Sequence, residues 1–173
     1  MYTLIAFATQ WGSRHGGINS FNADFLSKFG AAYHHGTQIL CIVTDHSPEA
    51  AEEAANSHVG LIALPYIPTE RSFDSSIGEL SVDLLKKAGI AFERDKTIWL
   101  GHDLITGAAA IGAAKVAGGR SAVIHHMSYD DYESYAEDSE SAQKKTAKQT
   151  VILRTADLVL AIGPLLRDAA SDR

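Results

Sequence analysis

The chain has 173 residues, of which 46% are hydrophobic and 21% charged, a composition typical of a single globular domain. Four prolines and one cysteine exclude a disordered chain, a collagen-like repeat and a disulfide scaffold. The formal net charge of −6 disfavours nucleic-acid or anionic-membrane surfaces, and no apolar stretch reaches the ~20 residues of a membrane span. We therefore expect a cytoplasmic protein with no nucleic-acid partner, no transmembrane segment and a buried, structural Cys41.

Six short apolar runs predict strands. They are continuous rather than alternating and often β-branched, as in strands that are buried on both faces. The predicted strands are Leu4–Ala8, Gln38–Thr44, Val59–Ile67, Thr97–Gly101, Ala122–His126 and Leu158–Ile162.

The intervals between these runs carry helical patterns. From Ile18 to Tyr33 the apolar residues follow one helical stripe. The sequence also predicts five later helix starts: Ser47-Pro48, a capping box of Ser76 with Glu79, Asp103 as the cap of an Ala-rich helix over 104–117, Ser139, and Pro164. The alternation of strands and helices predicts an α/β fold, a three-layer Rossmann-like domain with a central parallel sheet flanked by helices.

One segment departs from this alternation. Residues 128–141 contain six acidic residues and no basic residue. A solvated loop that enters the next helix is the main interpretation, and a lid over a ligand is the alternative.

The loop after the first predicted strand is the first candidate for a binding site. Gly16 and Gly17 stand directly before a helix, so the backbone can approach a ligand closely and free N–H groups can contact an anion. Arg14 can add a charge-assisted contact. A turn that needs glycine only for its geometry explains the same residues equally well. The glycine spacing does not match the dinucleotide fingerprint, and P-loop and nucleophile-elbow motifs are lacking.

Histidines at strand ends are the second candidate. Five of the eight stand at or just beyond predicted strand ends: His15, His46, His102, His125 and His126. Neighbouring residues on a strand point to opposite faces, so His125 and His126 at the fifth strand do not converge on one zinc ion. We therefore expect no metal. An imidazole at such an edge can carry a proton or a hydrogen bond, whereas a structural role explains each histidine singly.

Four segments together resemble the N-terminal domain of retaining glycosyltransferases with the GT-B fold, the group that includes glycogen synthase and bacterial mannosyltransferases. The first-strand loop ends in Gly16-Gly17-Ile18, and residues 101–107 (GHDLITG) are similar to the family's H-D-W-x-x-G segment. Residues 121–125 (SAVIH) are similar to the family's strand that ends in V-H or I-H. Residues 154–164 (RTADLVLAIGP) are similar to its A-D-x-V-I-A-V-S-P stretch.

The resemblance implies a function for these segments. It implies transfer of a sugar from a nucleotide-sugar donor to a sugar or lipid-linked acceptor, with retention of anomeric configuration and without a metal or cofactor. His125 would be the catalytic residue that faces the transferred sugar, and His102 with Asp103 would contribute to acceptor binding. Gly16, Gly17 and Arg14 would belong to the loop for the donor diphosphate or the acceptor.

One part of the family's pattern is missing from this chain. In relatives a second domain supplies a basic pair and an E-x-x-x-x-x-x-x-E motif, which neutralise the leaving diphosphate and bind the nucleotide. We therefore expect residues 1–173 to be a single domain, the N-terminal half of a two-domain enzyme, and inactive without its C-terminal partner. A stand-alone sugar- or phosphate-binding domain and a small flavodoxin-like enzyme are the alternatives.

Overall fold

The computed structural model of the chain describes residues 1–65, 73–128 and 139–171. Within these ranges six strands form one sheet: β1 (Tyr2–Phe7), β2 (Thr37–Val43), β3 (Gly60–Ala63), β4 (Thr97–His102), β5 (Arg120–His125) and β6 (Leu158–Ala161). The α-helices are α1 (Gly17–Tyr33), α2 (Pro48–Asn56), α3 (Ser75–Lys87), α4 (Asp103–Ala117), α5 (Ser139–Thr155) and α6 (Pro164–Ser171).

The sheet has the order β3-β2-β1-β4-β5-β6, and every neighbouring pair of strands is parallel. Ile5 at the centre of β1 lies opposite Leu40 of β2 and Trp99 of β4. The predicted α/β fold with a central parallel sheet is therefore confirmed. Parallel strands need crossover connections, and the helices that form them cover both faces of the sheet.

The two faces of the sheet hold separate parts of the core. On one face, Leu26 of α1 and Ala54 of α2 pack against alternate residues of the central strands, including the buried thiol of Cys41. On the other face, α3 and α4 pack over Ile5, and α5 packs beside α4 against Val123. The prediction of a buried Cys41 is confirmed, and burial raises the pKa of its thiol to about 12, so that the thiol stays protonated.

Several predicted boundaries agree with the structure and others do not. Ser47 caps α2 as predicted, because its side-chain oxygen accepts a hydrogen bond from the Ala50 N–H at 3.2 Å. The predicted strand 59–67 is too long, since β3 ends at Ala63. Its last two positions lie outside the described residues, as do residues 129–138 of the acidic segment, so the solvated loop remains a prediction.

Two predicted helix caps are wrong. The cap of α3 is Asp74, whose Oδ1 accepts hydrogen bonds from the N–H groups of Ser76 and Ile77, so Ser76 lies inside the first turn rather than at the cap. Asp103 is the first residue of α4 and makes no capping hydrogen bond, because its carboxylate points across to β5 instead. In sequence, an acidic residue before a helix fits a local cap as well as a long-range contact.

Among the described residues, no helix is both long enough and apolar enough to cross a bilayer.

Candidate active site

The connections that follow β1 and β4 leave the sheet toward opposite faces. β1 leads to α1, whose Leu26 packs on the same face as Leu4, whereas β4 leads directly to α4, whose Ala109 packs on the opposite face with Trp99. Neighbouring parallel strands with diverging connections leave a crevice at their carboxyl ends, and this crevice is where open α/β sheets bind ligands. The candidate site is therefore the edge formed by the residues that follow β1, β4 and β5.

The loop between β1 and α1 brings a helix N-terminus to this edge. Gly12 and Gly16 have φ angles of +95° and +94°, a region in which an L side chain is strained. Gly16 precedes the first turn of α1, which has no side-chain cap and no acidic residue. A Cβ at Gly16 or Gly17 would meet nothing within 4 Å, so there is open space beside both residues. Free N–H groups at a helix N-terminus are suited to an anion.

A buried ionisable pair lies at the carboxyl ends of β4 and β5. Asp103 and His125 are both 0% exposed, and Nδ1 of His125 lies 2.7 Å from Oδ1 of Asp103. The carboxylate also accepts hydrogen bonds from the His126 backbone N–H at 2.6 Å and from Nε2 of Gln149 at 3.1 Å. In contrast, Nε2 of His125 is buried and has no hydrogen-bond partner among the described residues. The carboxylate thus fixes the orientation of the ring, and the second ring nitrogen is left for another group.

Asp103 itself has an unusual backbone conformation. Its φ of +37° lies in the left-handed region, which costs free energy for a residue with a Cβ. The hydrogen bonds from His125, His126 and Gln149 hold the carboxylate where this conformation directs it. Strained residues of this kind are concentrated at functional sites, so the conformation of Asp103 supports a function for this edge.

A second chain of hydrogen bonds runs on the α1 side of the same edge. Nε2 of His102 lies 2.9 Å from Oδ1 of Asn22, whose amide nitrogen donates to Cys41 Sγ. Nδ1 of His102 lies 2.8 Å from Nε2 of His126, and the His126 ring packs edge-on against Phe21 with ring centres 4.9 Å apart. Since the Asn22 amide donates to sulfur, its oxygen accepts from His102, and His102 in turn accepts from His126.

Burial keeps the rings of this second chain neutral. Burial, followed by the neighbouring His126, lowers the pKa of His102 to about 3. Burial also lowers the pKa of His126. A neutral His102 agrees with its role as donor at one nitrogen and acceptor at the other.

Two clefts adjoin the β1–α1 loop on its β2 side. The larger has a volume of about 380 Å³ and lies between Trp11, Arg14 and the residues Glu49 and Glu53 of α2. The smaller, of about 210 Å³, lies beside it and is also lined by Trp11. Both lie at the carboxyl ends of β1 and β2, so the edge continues beyond the histidine-containing part.

Comparison with known protein families identifies the kind of domain to which this edge belongs. A family sequence model described as "Family 4 Glycosyltransferase in conflict systems" matches residues 5–173. The chain belongs to this family. Among curated proteins, none matches the sequence significantly.

Solved structures share the fold of this family 4 glycosyltransferase domain. Sucrose-phosphate synthase from Thermosynechococcus elongatus matches with a TM-score of 0.65 and 16% identity, over 99% of this chain and 45% of that one. Apo UGT2 from Phytolacca americana matches with a TM-score of 0.57 and 9% identity, over 93% of this chain and 46% of that one. The resemblance to a GT-B N-terminal domain is thereby confirmed, and the chain spans slightly less than half the length of these proteins.

The structure of the glycosyltransferase domain brings together three of the six predicted site residues: His102, Asp103 and His125. Asp103 contacts His125 directly, and His102 contacts the next residue, His126. The rings of His125 and His126 belong to separate hydrogen-bond chains on opposite sides of β5, as expected for neighbours on a strand. Within the described residues, no three side chains of His, Cys, Asp or Glu lie close enough together to hold a metal ion, and the metal-free site stays a prediction.

Arg14 lies apart from this cluster. It belongs to a short 3₁₀ helix, Ser13–His15, is exposed and lines the larger cleft opposite Glu49 and Glu53. The assignment of Arg14, Gly16 and Gly17 to a donor or acceptor loop stays a prediction, as does the assignment of His102 and Asp103 to the acceptor.

Sequence reasoning missed three residues of this edge: Asn22, Gln149 and Trp11. Asn22 and Gln149 are each 0% exposed, and they contact the site from helices α1 and α5. For Asn22, a polar amide within the apolar helical stripe is a signal that could have identified it, because buried polar groups are paired.

Proposed function

We propose that this chain is the acceptor-side half of a two-domain GT-B glycosyltransferase, which moves a sugar from a nucleotide-sugar donor to an acceptor with retention of anomeric configuration. The observation that carries the proposal is the buried His125 ring, which Asp103 holds at Nδ1 and whose Nε2 has no partner among the described residues. Family membership supports sugar transfer as the reaction.

In this proposal His125 is the catalytic residue. Its Nε2 contacts a hydroxyl of the transferred sugar, as an acceptor when the ring is neutral and as a donor when it is protonated. Asp103 is a positioning residue, because its carboxylate selects the tautomer and the orientation of the ring. Gln149 supports the pair, since its amide donates both to Asp103 and to the Met127 carbonyl, at 3.1 and 2.7 Å.

The other residues of the edge receive supporting roles. Gly16 and Gly17 present the open N-terminus of α1 to the donor diphosphate, for which free N–H groups and the helix dipole are suited. His102 is fully buried and acts on the acceptor side through His126, its half-buried hydrogen-bond partner. Arg14 belongs to the acceptor side, where it lines the larger cleft.

The proposed enzyme needs a second domain. The chain spans 45% and 46% of the two solved structures that share its fold, which leaves room in such proteins for another domain of similar size. That domain would bind the nucleotide and supply the cations for the leaving diphosphate. The nucleotide-sugar is a substrate, and the proposal includes no metal and no cofactor. The single buried thiol agrees with a reducing, cytoplasmic location.

Replacing His125 with alanine in the two-domain enzyme tests the proposal. The rate of sugar transfer, measured as release of nucleoside diphosphate, should fall by about 10²–10⁴-fold. This is the usual contribution of a positioned proton-transfer or hydrogen-bonding group. His35→Ala is the matched control, because His35 is exposed and precedes β2 at the opposite edge of the sheet. NMR of the product should show the anomeric configuration of the donor. A near-normal kcat in His125→Ala would refute the assignment.

A further inference from the structure

Trp11 carries a buried hydrogen-bond donor that lacks an acceptor. The side chain is 4% exposed, and its Nε1 has no hydrogen-bond partner among the described residues. The chain's other tryptophan, Trp99, shows the usual arrangement, in which the indole N–H donates to the Gly118 carbonyl at 2.8 Å. Because an unpaired buried N–H is costly, an acceptor supplied from outside the chain would stabilise Trp11.

The surroundings of Trp11 offer a place for such an acceptor. Trp11 lines both clefts beside the β1–α1 loop, of about 380 and 210 Å³. Volumes of this size suit a small ligand, such as one or two sugar rings. Among the polar residues that line these clefts, Ser47 already uses its oxygen to cap α2. Trp11 thus lines both clefts and carries a buried donor with no acceptor among the described residues.

The charges around the clefts select the kind of ligand. Glu49 and Glu53 lie one turn apart on α2 and face the larger cleft opposite Arg14, and Asp45 lines the smaller one. A hydrogen bond from the Ser47 hydroxyl lowers the pKa of Glu49, so this carboxylate is charged at neutral pH. Carboxylates accept hydrogen bonds from hydroxyl and ammonium groups, whereas they repel a phosphate.

We propose that these clefts bind an unphosphorylated saccharide, neutral or amino-substituted, as part of the acceptor; this identification rests on the proposed glycosyltransferase function. The sugar hydroxyls accept from the Trp11 indole N–H and donate to Glu49 and Glu53. Arg14 supplies donors to the same sugar while its charge is offset by the two carboxylates. A phosphorylated or diphosphate-linked acceptor is disfavoured at this position.

The two indole N–H signals of the ¹⁵N-labelled chain test this proposal directly. The chain is titrated with mannose and glucosamine, and in parallel with mannose 6-phosphate and glucosamine 6-phosphate, which differ from them only by the phosphate. The Trp11 signal should shift when the unphosphorylated sugars are added, with a Kd in the millimolar range. The chain should bind the phosphorylated sugars at least about ten-fold more weakly. The Trp99 signal is the internal control and should not move, because its N–H is already bonded to Gly118.

Two variants separate the contributions of the site. Trp11→Phe keeps the ring and removes the donor, so saccharide binding, measured by calorimetry, should weaken by about ten-fold. Glu49→Gln combined with Glu53→Gln keeps the shape and removes the charge, so the discrimination against phosphate should disappear.

Three results would overturn the proposal: no shift of the Trp11 signal with any unphosphorylated sugar, equal binding of phosphorylated and unphosphorylated sugars, or preference for the phosphorylated ones. These results leave the role of His125 in sugar transfer unaffected, since that role is measured by turnover of the two-domain enzyme. Conversely, normal turnover of His125→Ala together with a selective Trp11 shift would refute the proposed catalytic residue and retain a sugar-binding cleft.

Discussion

Acidification from pH 7 to pH 5 should destabilise the domain through His102. The ring donates from Nε2 to Asn22 and accepts at Nδ1 from His126, so a second proton on the ring has no acceptor in the folded state. Burial and the neighbouring His126 lower the pKa of His102 from 6.5 to about 3. The folded-state pKa is thus below the unfolded-state value, so the stabilisation is complete above about pH 6.5 and is lost as the pH falls toward 3.

The size of this effect follows from the difference between the two pKa values. Between about pH 6.5 and pH 5, a range of about one and a half units, His102 binds a proton in the unfolded chain but not in the folded chain. Each unit changes the free energy of unfolding by about 1.4 kcal/mol, so the loss that is due to His102 is about 2 kcal/mol at pH 5.

Urea unfolding at pH 7, 6 and 5 measures this loss, with His102→Gln as the comparison. Glutamine keeps a polar group beside Asn22 but does not titrate, whereas all other ionisable groups are common to the two proteins. The free energy of unfolding of the wild type should therefore fall by about 2 kcal/mol more than that of the variant between pH 7 and pH 5. Equal losses in the two proteins would show that His102 is not held neutral by the fold.

Three substitutions test the packing and the capping of α3. Gly78→Ala would normally favour a helix, but here its Cβ would meet the Ala109 carbonyl oxygen and lie 2.6 Å from the Ala113 nitrogen, so we expect about 1–3 kcal/mol of destabilisation in urea. A stabilised variant would contradict the close approach of α3 and α4. Asp74→Ala should lower Tm by about 2–4 °C, since loss of a cap costs about 1 kcal/mol, whereas Ser76→Ala should have the smaller effect. A larger loss of Tm in Ser76→Ala than in Asp74→Ala would show instead that Ser76 is the cap.

The fold was predictable from the sequence because its signals are local. Strands that are buried on both faces need continuous apolar runs such as the one at Leu4–Ala8, and the intervening stripes have the period of a helix. The strand order was not predictable, since periodicity does not reveal which strands pair. The end of β3 was misplaced because the apolar run continues past Ala63, where the strand ends.

The candidate site was predictable only in part, because its interactions join distant positions. The ends of β4 and β5 identified His102, Asp103 and His125 as neighbours at one edge. Their hydrogen-bond partners lie far away in the sequence: Asn22 is 80 positions from His102, and Gln149 is 46 positions from Asp103. Asp103 was misassigned as a cap because a carboxylate at a helix start satisfies the local pattern whether it contacts its own helix or another strand.

Nucleoside diphosphate release tests most directly whether this chain is half of a glycosyltransferase. The chain alone and a two-domain protein that contains it are incubated with the same panel of nucleotide sugars and acceptors. Release is expected only from the two-domain protein, because the groups that stabilise the leaving diphosphate are expected on the other domain. Turnover by the chain alone at about 1 s⁻¹ or faster, within the range of ordinary enzymes, would contradict this expectation.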